Sequence, residues 1–226
     1  MIKKIQRIMQ RIFTGHQNGK ALLVLLVPYR RDTSSDPVVA LSSIIRNCCR
    51  GSADSIFMPK RPDHFSEIQP TGRRLWRHVV LFAHPSPSAD GFAVNPQEGE
   101  QQSSLTTEWW YTQNHKFDLI VAHVCNGQRI LGRTEWQQLF PNWISYDVDI
   151  HTLLMTSRDR KLWGEVAESI VNAAAISNTL KSAKDRIRSS YLLKMAYLRD
   201  SGTKRDLIHL LHFQKALEGI TSNEEN

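Results

Sequence analysis

Two short apolar runs constrain this chain more than any other feature. The first is His78–Ala83 (H-V-V-L-F-A), and His84 follows it directly. The second lies within Phe117–Gly127 (F-D-L-I-V-A-H-V-C-N-G), where Leu119–Ala122 is apolar and Cys125 comes just after. Short runs rich in β-branched residues suit central strands covered on both faces. In an open α/β sheet, ligands and chemistry gather beyond the carboxyl ends of the strands. Neighbouring strands lie about 4.8 Å apart. A histidine and a cysteine leaving two adjacent strand ends can therefore meet without unusual backbone geometry.

The remaining pattern supplies the partners such strands need. Ala21–Pro28 reads as the first buried strand. Asp36 is a good N-cap with Pro37 at the first helical position, and the helix runs to about Cys49 with Val38, Val39, Leu41, Ile44, Ile45 and Cys48 facing inward. Ser55–Met58 is a short strand candidate, with a turn or short helix near Pro62–Ile68. His84–Gly91, with two prolines and an Asp-Gly pair, is a loop. Phe92–Val94 is a short strand, Asn95–Ser103 a polar loop, and Ser104 a candidate cap for a helix carrying Trp109 and Trp110. These tryptophans and Tyr111 read as core plus one exposed ring. Trp143–Ile150 alternates Ile144, Tyr146 and Val148 against Ser145, Asp147 and Asp149, so it reads as a strand with a solvated polar edge. Asp159–Ile176, Thr179–Arg199 and Lys204–Leu217 are helical, and Ser222–Asn226 is a polar tail. Strands alternating with helices predict an α/β fold with a mostly parallel central sheet flanked by helices, followed by a C-terminal helical extension.

Three segments result. Residues 1–19 form an amphipathic basic helix, with Ile2, Ile5, Ile8, Met9, Ile12 and Phe13 at helical spacing among Lys3, Lys4, Arg7 and Arg11. Residues 20–176 form the α/β domain, and residues 177–226 the helical extension with its tail.

The net charge of +7 permits an anionic partner, but the basic residues are spread along the chain without an aromatic-and-basic motif. This argues against nucleic acid. No apolar run approaches the ~20 residues of a transmembrane helix, so no membrane span is expected. The cysteines are Cys48, Cys49 and Cys125, without a C-x-x-C pair. That number fits a reducing, cytoplasmic setting better than a disulfide framework. His123-x-Cys125 offers two metal ligands without a third, so no metal is expected. There is no phosphate-binding glycine loop and no G-x-S-x-G elbow. His209 and His212 read as surface or helix-end groups.

A cysteine nucleophile needs a nearby base, and a histidine ring supplies one. It also needs donors for the oxyanion of the tetrahedral intermediate. The order strand–His–loop–short strand–helix–strand–x-x-Cys-x-Gly resembles the caspase-like peptidase clan of caspases, metacaspases and CHAT-type proteases. The five residues His123-Val124-Cys125-Asn126-Gly127 stand where caspases carry Q-A-C-[RQG]-G, and His84 lies 41 positions before Cys125. The resemblance covers about residues 20–176. It implies a caspase-hemoglobinase-like fold and endopeptidase activity on a protein substrate, with no cofactor. It implies His84 as general base, Cys125 as nucleophile, and the Cys125 amide as one oxyanion donor. An activating partner or small ligand, and an effector role in regulated cell death or antiviral defence, are implied by family alone.

Two departures stand out. The clan carries glycine after the histidine, and its amide is the second oxyanion donor. Here the residue is Pro85, which has no N–H, and Ser86 is the nearest substitute. His123 replaces the residue that helps line the pocket for the side chain before the scissile bond. It supplies no carboxylate for a basic side chain, so a neutral or acidic one is expected. Pro85, Ser86, His123 and Gly127 complete the substrate-binding set. Two other classes compete: a catalytically inactive caspase-like binding module, and a nucleotide-recognising α/β domain with its ligand at the same strand ends.

Overall fold

The computed structural model describes residues 22–29, 36–48, 53, 55–59, 62–68, 76–94, 103–113, 116–152, 154, 156–201 and 203–225. The expected N-terminal helix, Cys49 and most of the 95–103 loop lie outside the described residues. Their elements run β1 (Leu22–Leu26), α1 (Pro37–Cys48), β2 (Ser55–Phe57), a 3-10 turn at Pro62–Glu67, β3 (His78–Phe82), β4 (His84–Pro85), β5 (Phe92–Val94) and β6 (Ser103–Leu105). Then come α2 (Thr107–Thr112), β7 (Leu119–His123), α3 (Gln128–Leu131), α4 (Thr134–Leu139), β8 (Trp143–Tyr146), α5 (Ser157–Ile176), α6 (Leu180–Ser201), α7 (Lys204–Glu218) and β9 (Ile220–Ser222).

The apolar runs build a six-stranded sheet in the order β2-β1-β3-β7-β8-β9. Its first five strands are parallel, and β9 joins β8 antiparallel. The two faces bury alternate residues, as strand geometry dictates. Val24, Val80, Phe82, Val121 and Tyr146 pack with α1, α5, α6 and α7. Leu25, Val79, Leu81, Ile120 and Ala122 pack with Trp110 of α2, Ile130 of α3 and Trp136 of α4. β3 and β7 are fully buried, so neither can carry an interior polar alternation. The fold is mixed α/β with a mostly parallel central sheet flanked by helices, as the sequence predicts.

Helix ends follow local chemistry. Asp36 Oδ1 accepts the Val38 amide at 2.8 Å, which caps α1 as expected. Thr156 and Asp159 form a reciprocal capping box on α5. Trp110 is buried, Trp109 half-buried and Tyr111 exposed, matching the core-plus-one-ring expectation.

Several local expectations are corrected. Ser104 belongs to β6 rather than capping a helix, and α2 starts later, at Thr107. Ser145 does not face solvent with Asp147: it is buried, and its hydroxyl donates to the Ala122 carbonyl at 3.0 Å. The cause is that β8 is an interior strand between β7 and β9, and the aspartates fall past its end. His209 is likewise buried rather than a surface group. Ser222 and Asn223 are not part of a free tail. Ser222 pairs with Ile144 in the sheet, and Asn223 Oδ1 accepts the Trp143 amide at 3.1 Å. Among the described residues no helix is long and apolar enough to cross a membrane.

Candidate functional site

The register of β3 on β7 pairs His78 with Leu119 and Phe82 with His123, an offset of 41 positions. His84 and Cys125 are separated by the same offset, so they leave adjacent parallel strands at the same level. Residue parity places both on the α1 side of the sheet, continuing Phe82 and His123. One pocket, with a cavity volume of about 50 Å³, is lined by His84, His123 and Cys125 together with Val38, Leu41, Phe82 and Ile150. A larger surface groove of about 640 Å³ between α5 and α6 touches none of these residues. It carries no cysteine or histidine.

Each side chain at the strand ends is held by a different device. Cys125 is half-buried and its sulfur meets one backbone unit. The Ile150 amide donates to Sγ at 3.2 Å, and the thiol donates to the Ile150 carbonyl at 3.5 Å. Burial pushes the thiol pKa up; the Ile150 amide pulls it down, and Asp149 raises it again. Burial wins, and the thiol pKa stands above its ordinary value. Asn126 follows with φ of 50°, a left-handed turn that asparagine tolerates better than most residues. Its amide donates to the Val148 carbonyl at 3.0 Å and its Nδ2 to Asp149 Oδ1 at 2.5 Å. The segment after β8 is thereby strapped across the cysteine turn.

His84 opens the two-residue strand β4 and is half-buried. Its Nε2 faces Asp36 Oδ1 at 3.4 Å, and the Tyr29 ring lies 6.2 Å away between centroids. The Asp36 side chain is fully buried. Burial alone would raise its carboxyl pKa. The His84 hydrogen bond and charge, with the Tyr29 and Val38 amides, outweigh this and hold it below the usual range. Asp36 and Ile150 are site residues that the sequence reading did not assign to the site. Asp36 was legible as a cap; its second role depends on a fold that carries it to a histidine 48 positions away.

The other predicted site residues divide. His123 lines the pocket as part of its floor. Its ring packs against Phe82 and Tyr146, and Nδ1 lies 3.2 Å from the Tyr146 hydroxyl. Burial pushes its pKa down to about 4, so it is neutral at neutral pH. Pro85, Ser86 and Gly127 do not line the pocket. Pro85 pairs with Phe92 across the small sheet β4-β5-β6. The Ser86 amide, the substitute oxyanion donor, is committed to the Gly91 carbonyl at 2.9 Å. Its hydroxyl donates to Asp90 Oδ1 at 2.6 Å. A Cβ on Gly127 would lie 2.2 Å from Ser145 Oγ, so close packing dictates that glycine. Its amide closes the turn onto the Val124 carbonyl at 3.2 Å. Among the described residues no group of three or more histidine, cysteine or acidic side chains could hold a metal.

No protein-family model and no curated protein sequence matches the chain. Among solved structures, the fold is similar to the X-ray structure of a secreted C11 cysteine protease from Bacteroides thetaiotaomicron in complex with an irreversible peptide inhibitor. The TM-score is 0.51 at 13% sequence identity, over 78% of this chain and 60% of that one. The chain thus spans about 60% of the protease's length. At this identity the likeness shows the fold. That neighbour is secreted, so it lends nothing to the expectation of a cytoplasmic setting.

Proposed function

We propose that the chain is a caspase-like cysteine peptidase that cleaves a protein substrate through Cys125 and His84. One observation carries this reading: the two side chains leave adjacent parallel strands at one level and open on one pocket. A fold similar to that of a cysteine protease supports it. In the proposed reaction the thiol proton passes to the His84 ring as sulfur attacks the scissile carbonyl. The C–N bond then breaks, and His84 returns the proton to the leaving amine. Water, deprotonated by the same ring, releases the acyl group from sulfur.

The oxyanion would bind the Cys125 amide. Pro85 has no N–H, and the Ser86 amide is occupied, so a second donor must come from a rearranged loop. Lacking it costs about 100- to 1,000-fold in rate. The strap through Ile150 points to a latent enzyme. Its backbone holds the thiol, and the pocket of about 50 Å³ is too small for a large side chain. Activation therefore requires displacement of Ile150, which suits an effector released by a partner or small ligand. The lining Val38, Leu41, Phe82 and neutral His123 favour a small neutral side chain before the scissile bond.

A second reading, an inactive binding module of the same fold, is favoured by the missing oxyanion donor and the raised thiol pKa. A pooled peptide library read by mass spectrometry separates the two. The peptidase reading predicts cleavage by the wild type that is lost in folded Cys125→Ala and His84→Ala. Cleavage surviving both substitutions overturns it.

A further inference from the structure

We propose that Asp36 is the positioning residue of the site, fixing the tautomer and orientation of His84. This inference rests on the reading of His84 and Cys125 as a peptidase pair. Asp36 was expected only to cap a helix. A cap needs one oxygen, and serine, threonine or asparagine serves as well. It needs neither a charge nor burial, yet the Asp36 side chain is fully buried. A buried carboxylate is costly unless it is hydrogen-bonded to donors that need it. Here two backbone amides lock its plane. Oδ2 accepts from Tyr29, three residues past β1, and Oδ1 accepts from Val38 in the first turn of α1, each at 2.8 Å. The carboxylate is thus held by both flanks of the β1–α1 connection, and Oδ1 turns toward His84 Nε2 at 3.4 Å.

The chemistry that follows is specific. A carboxylate accepts and does not donate, so the ring nitrogen facing it carries the proton. The neutral ring is then the Nε2–H tautomer, and Nδ1 keeps the lone pair. Nδ1 is the atom that takes the proton when the S–H bond of Cys125 breaks, and the atom that gives it to the leaving amine. The resulting imidazolium sits against a fixed anion, as a buried carboxylate does for histidine in other nucleophile–histidine pairs. Among the described residues, the other titratable groups facing His84 from neighbouring elements are the Tyr29 ring, Cys125 and His123, of which His123 is neutral at neutral pH. Asp36 is the anion among them. The 3.4 Å separation is long for a hydrogen bond, a common state of such contacts before substrate tightens them.

Three variants test this in the full chain. Asp36→Asn keeps size and removes charge. Asp36→Ser keeps an N-cap for Val38 but shortens the reach to His84. Asp36→Glu restores the charge. Ring nitrogen-15 shifts of His84 are read by long-range proton–nitrogen correlation, alongside peptide cleavage and thermal melting. The wild type is expected to show the Nε2–H tautomer, and Asp36→Asn and Asp36→Ser a mixture of both. In cleavage, both variants are expected to lose about 100-fold in kcat with KM changed less than twofold. Asp36→Glu is expected to recover part of the tautomer preference and of kcat. A wild-type Nδ1–H tautomer, or folded Asn and Ser variants with the tautomer unchanged, overturns the inference. Asn and Ser variants that keep kcat do so as well. Failure of the underlying reading looks different: Cys125→Ala and His84→Ala then cleave like the wild type, while the tautomer readout still decides the role of Asp36.

Discussion

Among the described residues two buried aspartates face histidines, and their surroundings differ. At the α5–α7 junction, Asp159 Oδ1 lies 2.8 Å from His209 Nε2, with both side chains sealed from solvent. Arg205 adds a two-pronged contact, its Nε lying 2.9 Å from Oδ1, and the Thr156 amide donates to Oδ2 at 2.7 Å. Arg205 first, and then His209 and Thr156 against the cost of burial, hold the Asp159 carboxyl well below the usual range. At the strand ends, the histidine facing Asp36 is 3.4 Å away, and its ring is 32% exposed to a pocket that holds a thiol. The difference teaches how to read such pairs. A short, sealed contact saturated with donors joins helices. A longer one with an open side and a thiol beside it suits the proton transfer proposed for His84.

The sharpest break of this comparison comes from exchanging the same change between the two sites. His84→Ala is expected to lower peptide cleavage by at least about 1,000-fold, with a melting temperature close to that of the wild type. His209→Ala is expected to lower the melting temperature and leave kcat of the folded fraction unchanged. Steady-state kinetics and calorimetry on both variants check this.

Next in size is the ion pair itself. Asp159→Ala leaves His209 without its buried acceptor and unties a part-exposed Arg205. It is expected to cost about 3 kcal/mol in urea unfolding. A loss below about 1 kcal/mol would mean that the junction is held by its apolar contacts alone.

A third histidine sharpens the point because its pocket-facing ring meets a tyrosine hydroxyl instead of a carboxylate. His123 has its pKa pushed from 6.5 down to about 4 by burial. Between these values the unfolded chain binds a proton that the folded chain refuses. Its contribution is therefore fully present above pH 6.5 and is lost as pH falls toward 4, a change of about 2–3 kcal/mol. Unfolding free energies measured across this window should show that slope. His123→Gln should flatten it.

A smaller effect is expected at the cysteine turn. Gly127→Ala forces a Cβ toward Ser145 Oγ and is expected to cost about 1–2 kcal/mol. In a Ser145→Ala background the cost should fall, since the obstructing oxygen is gone. The smallest effect belongs to the exposed pair of Arg77 and Asp118 at 2.5 Å. Arg77→Ala is expected to change stability by less than about 1 kcal/mol.

The sheet was largely legible in the sequence, because β1, β3 and β7 are apolar runs too short for helices and bounded by polar residues. The placement of His84 and Cys125 at two strand ends was legible for the same reason. What stayed hidden depends on contacts between distant segments. Ile220–Ser222 is only three residues long and shows no period, so its pairing with β8 could not be read. Ser145 looked like a surface residue because alternation along a strand does not say whether another strand flanks it. His209 looked exposed because its partner lies 50 positions away. The occupied Ser86 amide and the Ile150 contact to sulfur follow from loop conformation, which residue identities alone do not specify.

The central claim is that His84 activates Cys125. Its most direct test is labelling with an electrophilic peptide ketone that carries a small neutral residue before the reactive carbon, with the modified cysteine mapped by mass spectrometry. The account predicts covalent attachment at Cys125 in preference to Cys48 and Cys49. It predicts that attachment slows by at least about 100-fold in folded His84→Ala. Labelling of Cys125 at the same rate with and without the histidine would contradict it.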